Sequence, residues 1–169
     1  MEELDVPILQ AEDMRRLGAC LGQVLDGGDL VVLDGPLGAG KTTLTQGIAQ
    51  GMRVGGRVAS PTFVIARVHA STVGGPDLVH VDAYRLGSLE ELDALDLDAS
   101  LDSSVTVVEW GRGKVEVLSP DRLLVTIARP EGGEGEVDDL FEDSPRQVRL
   151  GACGPRSQKV LDAVRVKCA

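Results

Sequence analysis

DLVVLD followed at once by GPLGAGKTT, residues 29–43, joins an apolar run to a loop of glycines, a lysine and two threonines. Glycines alone are ordinary turn residues in a chain that has 21 of them. Their spacing is what carries information. Gly35, Gly40, Lys41 and Thr42 satisfy G-x-x-x-x-G-K-[ST] between a predicted strand and a predicted helix, the context a phosphate-binding loop requires. Glycine lets consecutive backbone amides turn inward around phosphate oxygens, and the helix N-terminus adds partial positive charge. The predicted nucleotide contacts are Gly35, Gly38, Ala39, Gly40, Lys41, Thr42 and Thr43. Lys41 is expected to reach the β- and γ-phosphates and the Thr42 hydroxyl to hold Mg²⁺.

The surrounding order of elements implies an α/β layer fold. VPIL near the start reads as an edge strand, and EDMRRLGACLGQVL as a helix with Met14, Leu17, Leu21 and Val24 recurring every three or four residues. Leu30 to Leu33 is a buried strand, and the helix from Lys41 to about Met52 puts Leu44, Ile48 and Met52 on one face. GGRVASPTFVIARVH reads as loop, turn and strand, DLVHVD as a further strand, and SLEELDAL as a helix opened by a Ser88–Glu91 capping box. SVTVVEW is another buried strand, and DRLLVTIAR with RQVRLGA an antiparallel pair. Strands alternating with helices predict a P-loop three-layer fold, its central sheet largely parallel with antiparallel additions near the C-terminus. One domain, residues 1–169, is expected.

Composition narrows the class. The hydrophobic fraction is 43% without a run long enough to span a membrane, and MEELD lacks the basic and apolar layout of a secretory signal. A cytoplasmic protein is expected. Cys20, Cys153 and Cys168 form no C-x-x-C pair and read as small buried or terminal thiols in a reducing compartment. A net charge of −10 disfavours direct grip on a nucleic-acid backbone, so contact with RNA is expected only through a partner. Seven carboxylates lie in EGGEGEVDDLFEDSP, residues 131–145, which reads as a solvated acidic loop.

Asp82 ends LVHVD and Glu109 ends VTVVE, and open α/β sheets bind ligands at that edge. Either acid is placed to serve the metal, and the sequence does not rank them. His80, within an apolar strand, reads as a packed, hydrogen-bonded histidine rather than a catalytic one. The chain contains no asparagine and hence no N-K-x-D guanine motif, which favours ATP. Two other classes stay open: a small-molecule P-loop kinase, although VASPTFVIARV carries no acceptor-binding acid, and a nucleotide-stabilised scaffold without useful turnover.

With GPLGAGKTT, SPTF, HVDAYRL and VEWG in this order, the chain resembles the TsaE family, small P-loop ATPases of bacterial tRNA threonylcarbamoyladenosine biosynthesis, over roughly residues 7–130. The resemblance implies a weak Mg²⁺-dependent ATPase that acts on the TsaD–TsaB complex. It implies that Thr62 in SPTF senses the γ-phosphate, that Lys41, Asp82 and Glu109 serve catalysis, and that Tyr84, Arg85 and Trp110 couple the nucleotide to the partner. Pro36 stands where the family commonly has an acidic residue.

Overall fold

The computed structural model describes residues 2–36, 38–56, 58, 66–83, 100–110, 119–128 and 145–168. In chain order these form β1 (Glu2–Ile8), α1 (Ala11–Val24), β2 (Leu30–Asp34), α2 (Lys41–Met52), β3 (Ala66–His69), β4 (Leu78–Asp82), β5 (Val105–Glu109), β6 (Leu123–Ala128), β7 (Arg146–Ala152) and α3 (Pro155–Cys168). All the described strands share one sheet of order β1-β7-β6-β2-β5-β4-β3. The four central strands β6, β2, β5 and β4 run parallel. Antiparallel strands close both edges, β7 and β1 on one side and β3 on the other. The expected mixed fold is therefore present, with one antiparallel edge, β3, that the sequence reading did not specify.

The central strands are mostly apolar because their side chains are buried on both faces of the sheet, as in parallel sheets generally. Strand alternation sends Val31, Leu33, Leu78, Val105 and Val107 into one cluster with Leu17, Leu21, Leu44 and Ile48 of α1 and α2. Leu30, Val32, Val79, Val81 and Val108 form a second cluster on the other side. Each such side chain, removed from water, contributes roughly 1.5–3 kcal/mol.

Helices α1 and α2 touch backbone to backbone. Gly18 and Gly22 on α1 meet Gly47 and Gly51 on α2, each pair four residues apart and so on one helical face. A Cβ at Gly47 would run into the Arg15 carbonyl oxygen and lie 2.9 Å from the Cα of Gly18. This approach fixes α2, and with it the loop from which α2 starts.

The tail held a surprise. Helix α3 was not anticipated, and it packs on α1, bringing Cys168 to Cys20. Those two residues, expected to be separate thiols, are joined by a disulfide with Cα atoms 6.6 Å apart. Cys153 is not part of the disulfide. The start of α3 is held from outside: Asp121 accepts hydrogen bonds from the amides of Arg156 at 2.7 Å and Ser157 at 2.9 Å. No helix among the described residues is long and apolar enough to cross a membrane. The Ser88–Glu91 capping box and nearly all of the acidic 131–145 segment lie outside the described residues.

Candidate functional site

The glycine loop leaves β2 at Asp34 and enters α2 at Lys41. Gly35 lies flat on the neighbouring strand, where an added Cβ would come within 2.8 Å of the Ile127 carbonyl oxygen. Gly40 has φ +111° as the residue capping α2, a conformation that L side chains resist. Its carbonyl accepts the Leu44 amide at 2.9 Å, while the Ala39 amide closes a turn onto the Pro36 carbonyl at 3.1 Å. Thr42 and Thr43 sit half-buried in the first helical turn, whose leading amides have no partner within the helix.

Lys41 is buried yet charged, and its surroundings explain how. Its Nζ donates to the carbonyl oxygens of Gly35 at 2.6 Å and Pro36 at 3.2 Å. The ammonium also lies 3.8 Å from the ring centroid of Trp110. Burial lowers the Lys41 pKa below the ordinary lysine value, while the carboxylates of Glu109, Asp34 and Asp82 oppose that shift. Three carboxylates thus act on one lysine at the mouth of the loop.

Sheet register assembles those acids. Asp82 and Glu109 are direct partners at the C-terminal ends of the parallel strands β4 and β5, and Glu109 is also level with Leu33 of β2. Glu109 is buried and Asp82 half-buried. After Glu109 the backbone turns sharply: Trp110 has φ +61°, and its amide donates to the Leu33 carbonyl at 3.1 Å. A left-handed conformation costs a non-glycine residue roughly 1–2 kcal/mol, and here it carries the indole onto Lys41. Trp110, expected to couple to a partner, thus lies against the phosphate-loop lysine.

His80 is fully buried, and its Nε2 lies 2.6 Å from Oε2 of Glu109. The packed, hydrogen-bonded histidine expected from the sequence has a site acid as its partner. A second contribution went unnoticed. Arg146, at the start of β7, donates through Nη2 to the Gly38 carbonyl at 3.2 Å. Only the antiparallel return of β7 beside β6 brings residue 146 to residue 38, and no local pattern could announce it. Thr62, Tyr84 and Arg85 lie outside the described residues.

Among the described residues no three His, Cys, Asp or Glu side chains converge as a protein-only metal cage would need. Mg²⁺ rarely uses such a cage; one or two carboxylates or a hydroxyl suffice when phosphate oxygens and water complete its shell. Thr42 at the helix start, with Asp82 and Glu109 at the strand ends, is a donor set of that kind, and the carboxylates around Lys41 suit a divalent cation.

The chain matches the family described as "Threonylcarbamoyl adenosine biosynthesis protein TsaE" over residues 8–136. A protein from Streptomyces coelicolor named "tRNA threonylcarbamoyladenosine biosynthesis protein TsaE" is 62% identical over 144 residues, covering 85% of this chain and 93% of the relative. A protein of the same name from Mycobacterium tuberculosis is 52% identical over 127 residues, 71% of this chain and 76% of its own. Among solved structures, YdiB of Bacillus subtilis superposes with a TM-score of 0.76 at 25% identity, covering 99% of this chain and 97% of that one.

Proposed function

This chain belongs to the TsaE family of threonylcarbamoyl adenosine biosynthesis proteins, and from that premise we propose that it binds ATP with Mg²⁺ and hydrolyses it in the service of a TsaD–TsaB complex. One observation carries the reading: the glycine loop after β2 and the acid-bearing ends of β4 and β5 meet at Lys41.

The chain's own groups divide the work. Amides from Gly38 to Thr43 line the phosphates at the positive end of α2. Lys41 exchanges the Gly35 and Pro36 carbonyls for β- and γ-phosphate oxygens, which as anions are stronger acceptors. Thr42 and one of Asp82 and Glu109 would hold Mg²⁺, which when bound neutralises charge on the β- and γ-phosphate oxygens. The remaining carboxylate orients the attacking water. The net charge of −10 supports contact with tRNA through the complex rather than by this chain itself.

Phosphate release by the full chain, with and without TsaD–TsaB and tRNA, tests the proposal. Slow turnover alone, on the order of 10⁻² to 10⁻⁴ per second, is expected, because Lys41 is the one cation the loop itself supplies and P-loop sites without an added cation are slow. The pair should raise that rate. A chain that turns over at tens per second regardless of the pair, or that transfers phosphate to a small acceptor, would overturn it.

A further inference from the structure

We propose that His80 is a positioning residue for Glu109, its Nε2–H holding one carboxylate oxygen so that the other is presented beside Lys41. The inference rests on the hydrolytic role proposed above and adds a residue to it.

The register makes the contact possible. His80 and Asp82 are two residues apart on β4 and so share a face, and His80 pairs with Val107, two residues before Glu109 on β5. The imidazole therefore reaches Glu109 diagonally across the same face that presents Asp82. The Nε2–Oε2 separation is 2.6 Å, with both side chains shielded from water: His80 is 0% exposed and Glu109 4%. In the tautomer proposed, Nε2 carries the hydrogen and the Glu109 carboxylate accepts it.

Strand packing alone does not account for a histidine here. Leu78, Val79 and Val81 around it are apolar, and what sets position 80 apart is the buried Glu109 carboxylate it faces, which a leucine would leave without this donor. Moreover, Nδ1 of His80 is buried with no hydrogen-bond partner among the described residues, an arrangement that costs free energy. A position that breaks the local packing rule and touches a site acid is placed for that acid. Without the donor, the Glu109 carboxylate is free to rotate, and the geometry in which it serves the metal or the water is lost.

The test uses the full chain with TsaD–TsaB and compares His80→Leu, which keeps bulk but no donor, with His80→Gln, whose amide can donate from a comparable position. His80→Leu should lower kcat at least tenfold while the KM for ATP and the calorimetric ATP affinity stay within twofold. His80→Gln should recover most of the rate. In a Glu109→Ala background, His80→Leu should cause no further loss, since the two residues act as one unit. Wild-type turnover by His80→Leu, or a full additional loss in the Glu109→Ala background, would overturn the inference. Should Glu109→Ala itself hydrolyse ATP at the wild-type rate, the hydrolytic reading fails first. Should His80→Leu not fold, imidazole nitrogen NMR on the wild-type chain decides, since there are only two histidines to assign. The His80 Nε2–H signal should be displaced and should shift in Glu109→Ala; a signal indifferent to that change would refute the contact's role.

Discussion

The Lys41 ammonium stands 3.8 Å from the centroid of the Trp110 ring while its hydrogens point at the Gly35 and Pro36 carbonyls. The two residues follow different strands, β2 and β5, and meet because Trp110 adopts a left-handed backbone directly after Glu109. A cation over an indole is worth about 0.5–2 kcal/mol, enough to hold the lysine but not enough to retain it against a polyphosphate.

Trp110 is the chain's only tryptophan, so its fluorescence reports on Lys41 without labelling. Titration with Mg²⁺–ATP should change the emission as the ammonium moves to phosphate. Lys41→Ala should remove both the change and tight ATP binding in calorimetry. An emission that stays constant across saturating ATP would mean that the pair does not separate on binding.

Asp82 and Glu109 are expected to act in turnover more than in holding the fold. Asp82→Ala and Glu109→Ala should each lower partner-stimulated hydrolysis at least about tenfold, or about 1.4 kcal/mol of transition-state stabilisation. Steady-state phosphate release measures this. Unchanged rates in both variants would move the reacting centre away from the ends of β4 and β5.

Inside a helix, replacing glycine by alanine ordinarily gains up to about 1 kcal/mol. At Gly47 the sign should reverse, because the new methyl meets the Arg15 carbonyl and the Gly18 backbone, neither of which has a rotamer to change. Overpacking of this kind costs roughly 1–3 kcal/mol. The midpoint of thermal unfolding should fall by several degrees, given about 2–4 °C per kcal/mol for a chain of this size. Gly75→Ala, at an open site with only the Ser71 hydroxyl near, should leave the midpoint unchanged.

Asp121 makes the docking of α3 sensitive to acid. Partial burial pushes its carboxyl up, but the backbone and hydroxyl bonds of Ser157 and the amide of Arg156 outweigh that and hold it below its ordinary value of 3.8. A depressed carboxyl stabilises the fold above its unfolded pKa, and that stability is lost as pH falls through the folded value. Wild type should therefore lose thermal stability between about pH 5 and about pH 3 more steeply than Asp121→Asn, which keeps one acceptor oxygen and does not titrate in that range, whatever its lower starting stability. Parallel slopes would remove Asp121 as the cause.

Much of this was legible along the chain. The phosphate loop, the helix after it and the strands ending in Asp82 and Glu109 are local patterns: apolar runs, a glycine spacing, an acid at a boundary. What stayed hidden depends on register and return paths. The contact of His80 with Glu109 exists because β4 lies beside β5 in one register, and the reach of Arg146 to Gly38 because β7 doubles back along β6. Helix α3 was missed because its buried face is small, Ser157, Val160, Leu161 and Val164 among charged neighbours, although Pro155 just after Gly154 is a start signal that could have found it. The pairing of Cys20 with Cys168 is hidden for the same reason, because that helix is what carries Cys168 back to α1.

The glycine seam between α1 and α2 also limits the chain's inheritance. A misfit between two side chains can be repaired by shrinking either one, so harmful changes in most cores have suppressors elsewhere. At 18, 22, 47 and 51 the opposing atoms belong to the main chain, common to every amino acid, and nothing smaller can replace them. A lineage that loses one of these glycines has no compensating change at the contact itself, so a search for suppressors of Gly47→Ala should return either reversion or stabilising changes away from the seam, and none at Arg15 or Gly18.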